Sequence, residues 1–251
     1  MNNHYKTLLI NLAHSTDRLA HSSDSLKKIG IQFERIEAVN GHTFVESGPL
    51  PHYNVKLNHD TYHKNLNNGE IGCYLSHRKA WQKIVDEQLS FAVILEDDFS
   101  LTGDLAKAID IAKKTHRNWD YIKLAGHRRS RYPIHSQSIA DMQLVTYNKL
   151  PSQTCAQLVS FSGAKKLLAK SEQFGRPVDV DIQHWWEADL QVFGLLPYVI
   201  VAKEAFGSEI DRIATRREAS KRHFKKIWLQ LRFWLKNSKE NKRRVRMLKS
   251  R

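Results

Sequence analysis

The stretch "FAVILEDDFS", residues 91–100, limits what this chain can fold into more than any other. Phe91 to Leu95 form an apolar run too short for a helix and apolar on both faces, the pattern of an interior strand in a helix-covered sheet. The run leads straight into Glu96, Asp97 and Asp98. If extension persists through residue 98, alternation points Glu96 and Asp98 one way and Asp97 the other. Three adjoining carboxylates repel one another unless a cation or hydrogen-bond donors compensate. Hard oxygen ligands suit magnesium or manganese, ions that keep waters and bridge to phosphate oxygens, so the triplet points to a diphosphate-bearing substrate. The plainer use of the same acids is a solvated loop capping a helix that begins near Asp104.

The rest of the chain supplies the sheet that such a strand needs. "KTLLINL" (6–12) predicts a first strand, and Ser15 or Thr16 caps a helix that stops at Gly30, where a left-handed residue is wanted. "IQFERIEAV" (31–39) alternates as a second strand. Residues 42–68, polar and punctuated by two prolines, predict an excursion with little regular structure. "GEIGCYLSHRKAWQKIVDEQ" (69–88) is the clearest helix, with Ile71, Tyr74, Leu75, Trp81, Ile84 and Val85 at helical spacing. A helix at "DLAKAIDIAKK", a strand at "WDYIKLA" (119–125) and a basic loop at "GHRRSRYPIHSQS" follow. Short strands at 142–147 and 154–161, a helix capped by Ser162 and a last strand at "LLPYVIVA" (195–202) complete the pattern. Alternating strands and helices imply an α/β domain that binds ligands at the strand C-termini.

Net charge looks at first like a nucleic-acid signature. Of the 40 Lys and Arg, fifteen fall between Arg216 and Arg251 with two acids, leaving residues 1–215 with 25 basic and 24 acidic residues. A nearly neutral body with a basic tail argues against nucleic acid as a partner. Cys73 and Cys155 have no metal-ligand spacing around them. The chain lacks eighteen uncharged apolar residues in a row, and its N-terminus lacks a signal-peptide pattern, so a cytoplasmic location is expected.

Four pieces, "NLAHSTDR", "NNGEIGCYLSHRKAWQKIV", "FAVILEDDFS" and "GAKKLL" before "PVDVDI", together resemble glycosyltransferase family 25, over about residues 6–202 and in the family's order. The resemblance implies a GT-A type nucleotide-sugar fold, a UDP-sugar donor (most often UDP-galactose), manganese dependence and inversion at the anomeric carbon. It makes Asp98 the expected metal ligand, with Glu96 or Asp97 assisting. Asn11 and Arg18 match the family's first motif beside the nucleotide, and Glu70, Ser76 and His77 fall in its "GEIGCYLSH" motif as donor-contacting groups. Gly69 and Gly72 allow close backbone approach at that helix start. Inverting transfer needs a base for the acceptor hydroxyl, and Asp179 and Asp181 in "PVDVD" are the candidates; an N-cap for the helix near Val180 is their alternative role. Arg128, Arg129 and Arg131 in the basic loop are candidates for closing over diphosphate or meeting an anionic acceptor.

The tail, residues 216–251, carries Phe224, Ile227, Trp228, Leu231 and Trp234 or Leu235 at helical spacing among Lys and Arg. Such a basic amphipathic helix suits an anionic membrane interface; docking its apolar stripe on the domain, or on a second copy, is the other use. Taken with the resemblance, whose family includes bacterial lipopolysaccharide galactosyltransferases, the expectation is a metal-dependent (Mn2+ or Mg2+) hexosyltransferase peripheral on the cytoplasmic membrane face, adding galactose to a lipid-linked lipooligosaccharide or lipopolysaccharide core. UDP-glucose and a UDP-N-acetylhexosamine are the alternative donors, and a basic-tailed nucleic-acid-binding protein is the lesser alternative from another class.

Overall fold

The computed structural model describes residues 4–41, 52–115, 118–126, 133–203 and 216–249, with side chains in the last span from 223 to 248. In chain order the elements are β1 (Tyr5–Asn11), α1 (Thr16–Lys28), β2 (Glu34–Glu37), α2 (Val55–Thr61), α3 (Asn68–Asp86), β3 (Phe91–Glu96), β4 (Phe99–Leu101), α4 (Leu105–Lys114), β5 (Tyr121–Lys123), β6 (Pro133–Ile139), β7 (Met142–Tyr147), β8 (Ala156–Ser160), α5 (Phe161–Lys170), α6 (Val178–Gln183), β9 (Val192–Leu196), β10 (Ile200–Ala202) and α7 (Arg216–Lys249). Eight strands form one mixed sheet in the order β2-β1-β3-β8-β5-β9-β7-β6, and β4 pairs with β10 in a small second sheet.

The apolar run 91–95 occupies the interior position its composition demands. β3 is parallel to β1 on one side and antiparallel to β8 on the other. Even-numbered Ala92 and Ile94 pack on the face that buries Trp81 and Ile84 of α3, Ala164 and Leu167 of α5 and Ile182 of α6. Odd-numbered Phe91, Val93 and Leu95 pack with Leu26 of α1 and Ile109 of α4 on the other face. Each face is an apolar layer, so β3 is held at both sides and its C-terminus is fixed at the sheet edge.

Several local expectations change. β3 ends at Glu96, and Asp97–Asp98 form a turn into β4, so the three acids do not continue strand alternation. The second strand is confined to Glu34–Glu37. The excursion contains α2, capped by the Asn54 side chain accepting from the Leu57 amide at 2.8 Å. The helix at 161 is capped by Ser160, which accepts from the Gly163 amide, while the Ser162 hydroxyl donates to buried Asp120 at 2.5 Å. "LLPYVIVA" divides into two strands that belong to different sheets, on either side of the cis Leu196–Pro197 bond. The later part of the basic loop is an edge strand, β6, which starts at Pro133 as an edge strand can. Arg128, Arg129 and Arg131 lie outside the described residues.

α7 uses two faces. Phe224, Ile227, Trp228, Leu231, Trp234 and Leu235, the stripe predicted to be amphipathic, are exposed. Docking falls to another stripe: Phe233 packs on His184 and Trp186, and the Asn237 and Asn241 amides donate to the Asn148 carbonyl at 2.6 and 2.7 Å. Further along the same face, the Arg244 guanidinium lies 5.0 Å from the Trp185 ring centre and 4.8 Å from that of Phe193, and donates to the Val192 carbonyl.

Candidate active site

Strand polarity gathers the candidate residues. β1, β3 and β5 end at the same sheet edge, where antiparallel β8 begins, and the Glu96 amide donates to the Cys155 carbonyl at 2.9 Å. Asn11, Glu96, Lys123 and Thr154 are therefore neighbours in space although far apart in sequence.

Glu96 is held by a directed chain of donors. The Tyr121 hydroxyl donates to Gln157 Oε1, which turns the amide nitrogen toward His77 Nδ1 at 3.1 Å. His77 Nδ1 then accepts, and Nε2 donates to Glu96 Oε1 at 2.9 Å. Thr154 donates to the same oxygen at 2.6 Å. Burial alone would raise Glu96, but the His77 and Thr154 bonds hold it below the ordinary glutamate value, so it stays a carboxylate. Tyr121, Gln157 and His77 are fully buried, which fixes the chain's geometry.

Asp97 is equally well supplied. Its Oδ2 accepts from Asn11 Nδ2 at 2.7 Å and its Oδ1 lies 3.1 Å from Arg18, while Asn11 is itself oriented by Arg35 at 3.0 Å. Asp98 is less well supplied: Oδ1 is buried with no partner in hydrogen-bond geometry, Oδ2 is 3.9 Å from Arg18, and the Cys155 thiol is a weak donor to the carboxyl. Burial, then the charge of Glu96, push the Asp98 carboxyl up to about 6 against the pull of Arg18. A carboxylate oxygen that is buried, unpartnered and repelled by its neighbours is a position that a cation would relieve.

The two aspartates on α6 go different ways. Asp179 accepts from its own helix at the Val180 amide, 2.8 Å, and from the Gln153 amide at 3.3 Å. Its charge and that of Glu96 act together on Lys123, Tyr121 and Cys73, so Asp179 faces the acidic group. Asp181, two residues and about 200° further around the helix, accepts from Arg176 at 2.9 Å and from the Tyr74 hydroxyl at 2.7 Å. The structure brings Asp179 to the site and engages Asp181 elsewhere.

Other residues of the glycine-rich motif are spent on building the helix. Ser76 donates to the Gly72 carbonyl at 2.7 Å and accepts from the Val39 amide at 2.8 Å. Glu70 closes a capping box with Asn67, and its side chain lies 3.3 Å from Lys64. A Cβ on Gly72 would come within 2.5 Å of the Val39 carbonyl oxygen, so this glycine allows close packing of α3 on residues 39–41. Lys123, by contrast, emerges only from the structure: burial pulls it down to about 8 while Asp179 and Glu96 oppose the shift, and its amino group donates to the Gln153 carbonyl. A lone lysine in the apolar strand "YIKLA", and a lone glutamine in "CAQLV", were the signals for it and for Gln157.

Among the described residues, one group with metal-ligand elements is compact: Cys73, His77 and Glu96, whose ligand atoms lie within 4.8 Å of one another. Its chemistry suits a hydrogen-bond relay better, because both His77 nitrogens are occupied and burial pushes the Cys73 thiol well up. A hard divalent cation fits the neighbouring oxygen set instead, at Asp98 with Glu96, where Asp98 Oδ1 lacks a partner.

A family model, Glycosyltransferase family 25 (LPS biosynthesis protein), matches residues 4–182. Among curated proteins, the chain is 30% identical over 191 residues to procollagen galactosyltransferase 1-B of Xenopus laevis, covering 70% of this chain and 30% of that protein. It is 29% identical over 217 residues to a probable inactive glycosyltransferase 25 family member 3 of Rattus norvegicus, covering 76% and 37%. The chain thus spans about a third of the length of these relatives. Among solved structures, a Drosophila galactosyltransferase 7 variant in complex with manganese, UDP-Gal and xylobiose has a TM-score of 0.43 at 11% identity, covering 87% of this chain and 79% of that one. A glycosyltransferase involved in glycosylation of the major capsid of PBCV-1 has a TM-score of 0.40 at 8% identity, covering 89% and 98%.

Proposed function

Since the chain belongs to glycosyltransferase family 25, we propose that it transfers a hexose, galactose from UDP-galactose, with inversion onto a sugar of a lipid-linked lipooligosaccharide or lipopolysaccharide core. The observation that carries this reading is the group at the end of β3, where Asp98 keeps a buried oxygen without a hydrogen-bond partner beside Glu96 and Asp97. Manganese or magnesium bound by Asp98 with Glu96 would neutralise charge on the leaving diphosphate. The chain's own groups do the rest. Arg18, half exposed beside Asp97 and Asp98, meets diphosphate oxygens at the site's mouth. Asn11 keeps Asp97 in place, and the Tyr121–Gln157–His77 chain keeps Glu96 ionised and oriented. Asp179 takes the proton of the acceptor hydroxyl.

The exposed apolar stripe of α7 supports an anionic membrane surface as the place of work. Trp228 and Leu231 would lie in the interface with neighbouring Lys and Arg toward lipid phosphates, on the cytoplasmic face. No helix among the described residues is long and apolar enough to cross a membrane.

One set of assays tests both parts. With UDP-galactose, UDP-glucose and UDP-N-acetylhexosamines, each with and without Mn2+, UDP release is expected to require the metal and to be fastest with UDP-galactose. Metal-independent turnover sinks the mechanism, and preference for another donor moves the reading to that sugar. The parent is expected to sediment with phosphatidylglycerol vesicles and a Trp228→Glu/Leu231→Glu variant to stay in solution; equal sedimentation removes the membrane from the proposal.

A further inference from the structure

On the far side of α6 from the acidic group lies a cavity of about 730 Å3, within the size range of ligand sites and walled by α2, α6 and the first half of α7. Its lining holds six cations and two carboxylates. Arg176 and Lys170 are matched by Asp181 and Glu187, in contacts of 2.9–3.3 Å. Lys149, Lys226, Arg232 and Lys236 make the lining itself net positive, with Lys236 lying 3.7 Å from Glu240 just outside it. His184 does not reduce the field by titration near neutrality in either direction, since burial holds it down to about 4 and the ring is uncharged. Two further features point to a ligand. Arg176, 7% exposed, keeps its Nε buried with no hydrogen-bond partner. Trp186 and Phe233 give the wall aromatic surface among the cations, a combination that suits the C–H faces of sugar rings beside charged substituents.

We infer that this cavity binds the acceptor, and that the acceptor is a phosphate-bearing oligosaccharide. Guanidinium and ammonium groups recognise phosphate through charge-assisted hydrogen bonds, and the lining carries more cations than carboxylates. The placement fits the reaction. α6 presents Asp181 to the cavity and Asp179 to the acidic group, and the two sides of a helix lie only about 10 Å apart. An oligosaccharide anchored by its phosphates in the cavity can therefore extend its non-reducing end around α6 to Asp179. The tail helix, docked through Asn237, Asn241 and Arg244, becomes one wall of the acceptor site as well as the carrier of the exposed stripe.

This inference rests on the transferase reading for the reaction, but not for the binding. The probe is a water-soluble, O,N-deacylated lipooligosaccharide core oligosaccharide that retains its phosphates, compared with the same oligosaccharide dephosphorylated by aqueous hydrogen fluoride. In the full chain, Lys226, Arg232 and Lys236 are replaced together by alanine; all three are exposed, so the fold is left intact. Calorimetry is expected to give the parent a preference for the phosphorylated form, and the variant an affinity for it weaker by about tenfold. Both proteins should bind the dephosphorylated form alike. The Michaelis constant for the phosphorylated acceptor should rise to the same degree, with kcat and UDP-galactose hydrolysis unchanged. Equal binding of the two forms by the parent, or parental affinity in the variant, overturns the inference. Absence of UDP-sugar hydrolysis in the parent sinks the transferase reading instead, and leaves the calorimetric result to decide the cavity by itself.

Discussion

Two clusters of acids flank α6 and obey different rules. On one side, Glu96, Asp97, Asp98 and Asp179 face Arg18, which is half exposed, and Lys123, which burial pulls down to about 8. On the other, Asp181 and Glu187 share Arg176 through three contacts of 2.9–3.1 Å, with Lys170 3.3 Å from Glu187 and the Tyr74 hydroxyl on Asp181. The second cluster balances its charge with the chain's own atoms. The first does not, and the excess collects on Asp98. Carboxylates that the chain neutralises hold a structure together; carboxylates that it leaves short of partners are placed for something it does not contain.

The largest test of that distinction replaces one carboxylate in each cluster. Asp98→Asn keeps shape and volume but removes the charge a cation needs, and transfer is expected to fall by roughly 10³-fold, within the range for losing one main electrostatic contact. The same variant should raise the melting temperature of the metal-free protein, because an uncharged amide replaces a raised, repelled carboxyl. Steady-state rates with saturating Mn2+ and calorimetric melting without it check the pair of effects. Retained activity together with a lowered melting temperature would make the two clusters the same kind of object.

The opposite result is expected across α6. Arg176→Met leaves Asp181 and Glu187 buried or half-buried without their main partner, and breaking such a pair costs roughly 3–5 kcal/mol. For a chain of this size that is a fall in melting temperature of about 10 °C. Hydrolysis of the donor, per folded molecule and below the transition, should stay near the parental rate, because the acidic group at β3 is untouched. A loss of donor hydrolysis with no loss of stability would place Arg176 in the chemistry and erase the contrast.

The clusters also differ in how far the sequence announces them. β3 and its acids are legible because an apolar run and the charges that end it are local facts, and so is α3, whose Ile71, Tyr74, Trp81 and Ile84 repeat at the helical period. That Asp98 is the least well supplied of the three is not local. It depends on the turn that ends extension at Glu96, and on β8 arriving antiparallel to set Thr154 and Gln157 on the Glu96 side. The separation of Asp179 from Asp181 follows from spacing once residues 178–183 are known to be helical, since a step of two that keeps side chains together on a strand divides them on a helix. The docking stripe of α7 was hidden for a different reason. Asn237, Asn241 and Arg244 repeat at helical spacing, but within a charged run polar residues read as solvated. Their partners at Asn148, Trp185, Val192 and Phe193 are distant in sequence.

The finest test uses protons, because the clusters should respond to pH with opposite signs. Asp98 has its carboxyl raised from 3.8 to about 6, first by burial and then by Glu96. The folded protein therefore holds that proton more tightly than the unfolded chain does. The stability it contributes is complete below pH 3.8 and is lost as pH rises through about 6. Glu187 runs the other way. Burial would raise it, but Arg176, His184 and Lys170 bring it from 4.5 down to about 2, so its contribution is complete above 4.5 and is lost as pH falls through about 2. Melting temperatures of the metal-free parent, Asp98→Asn and Glu187→Gln between pH 2 and 7 separate the two. The asparagine variant should gain on the parent as pH rises from 4 to 6.5, and the glutamine variant should lose against it as pH rises from 2 to 4.5. Below about pH 6 the proton competes with the cation at Asp98, so apparent Mn2+ affinity should fall by up to about tenfold per pH unit. Slopes of the same sign in both variants would mean that Asp98 is compensated within the chain after all, and that the cation has to be sought elsewhere.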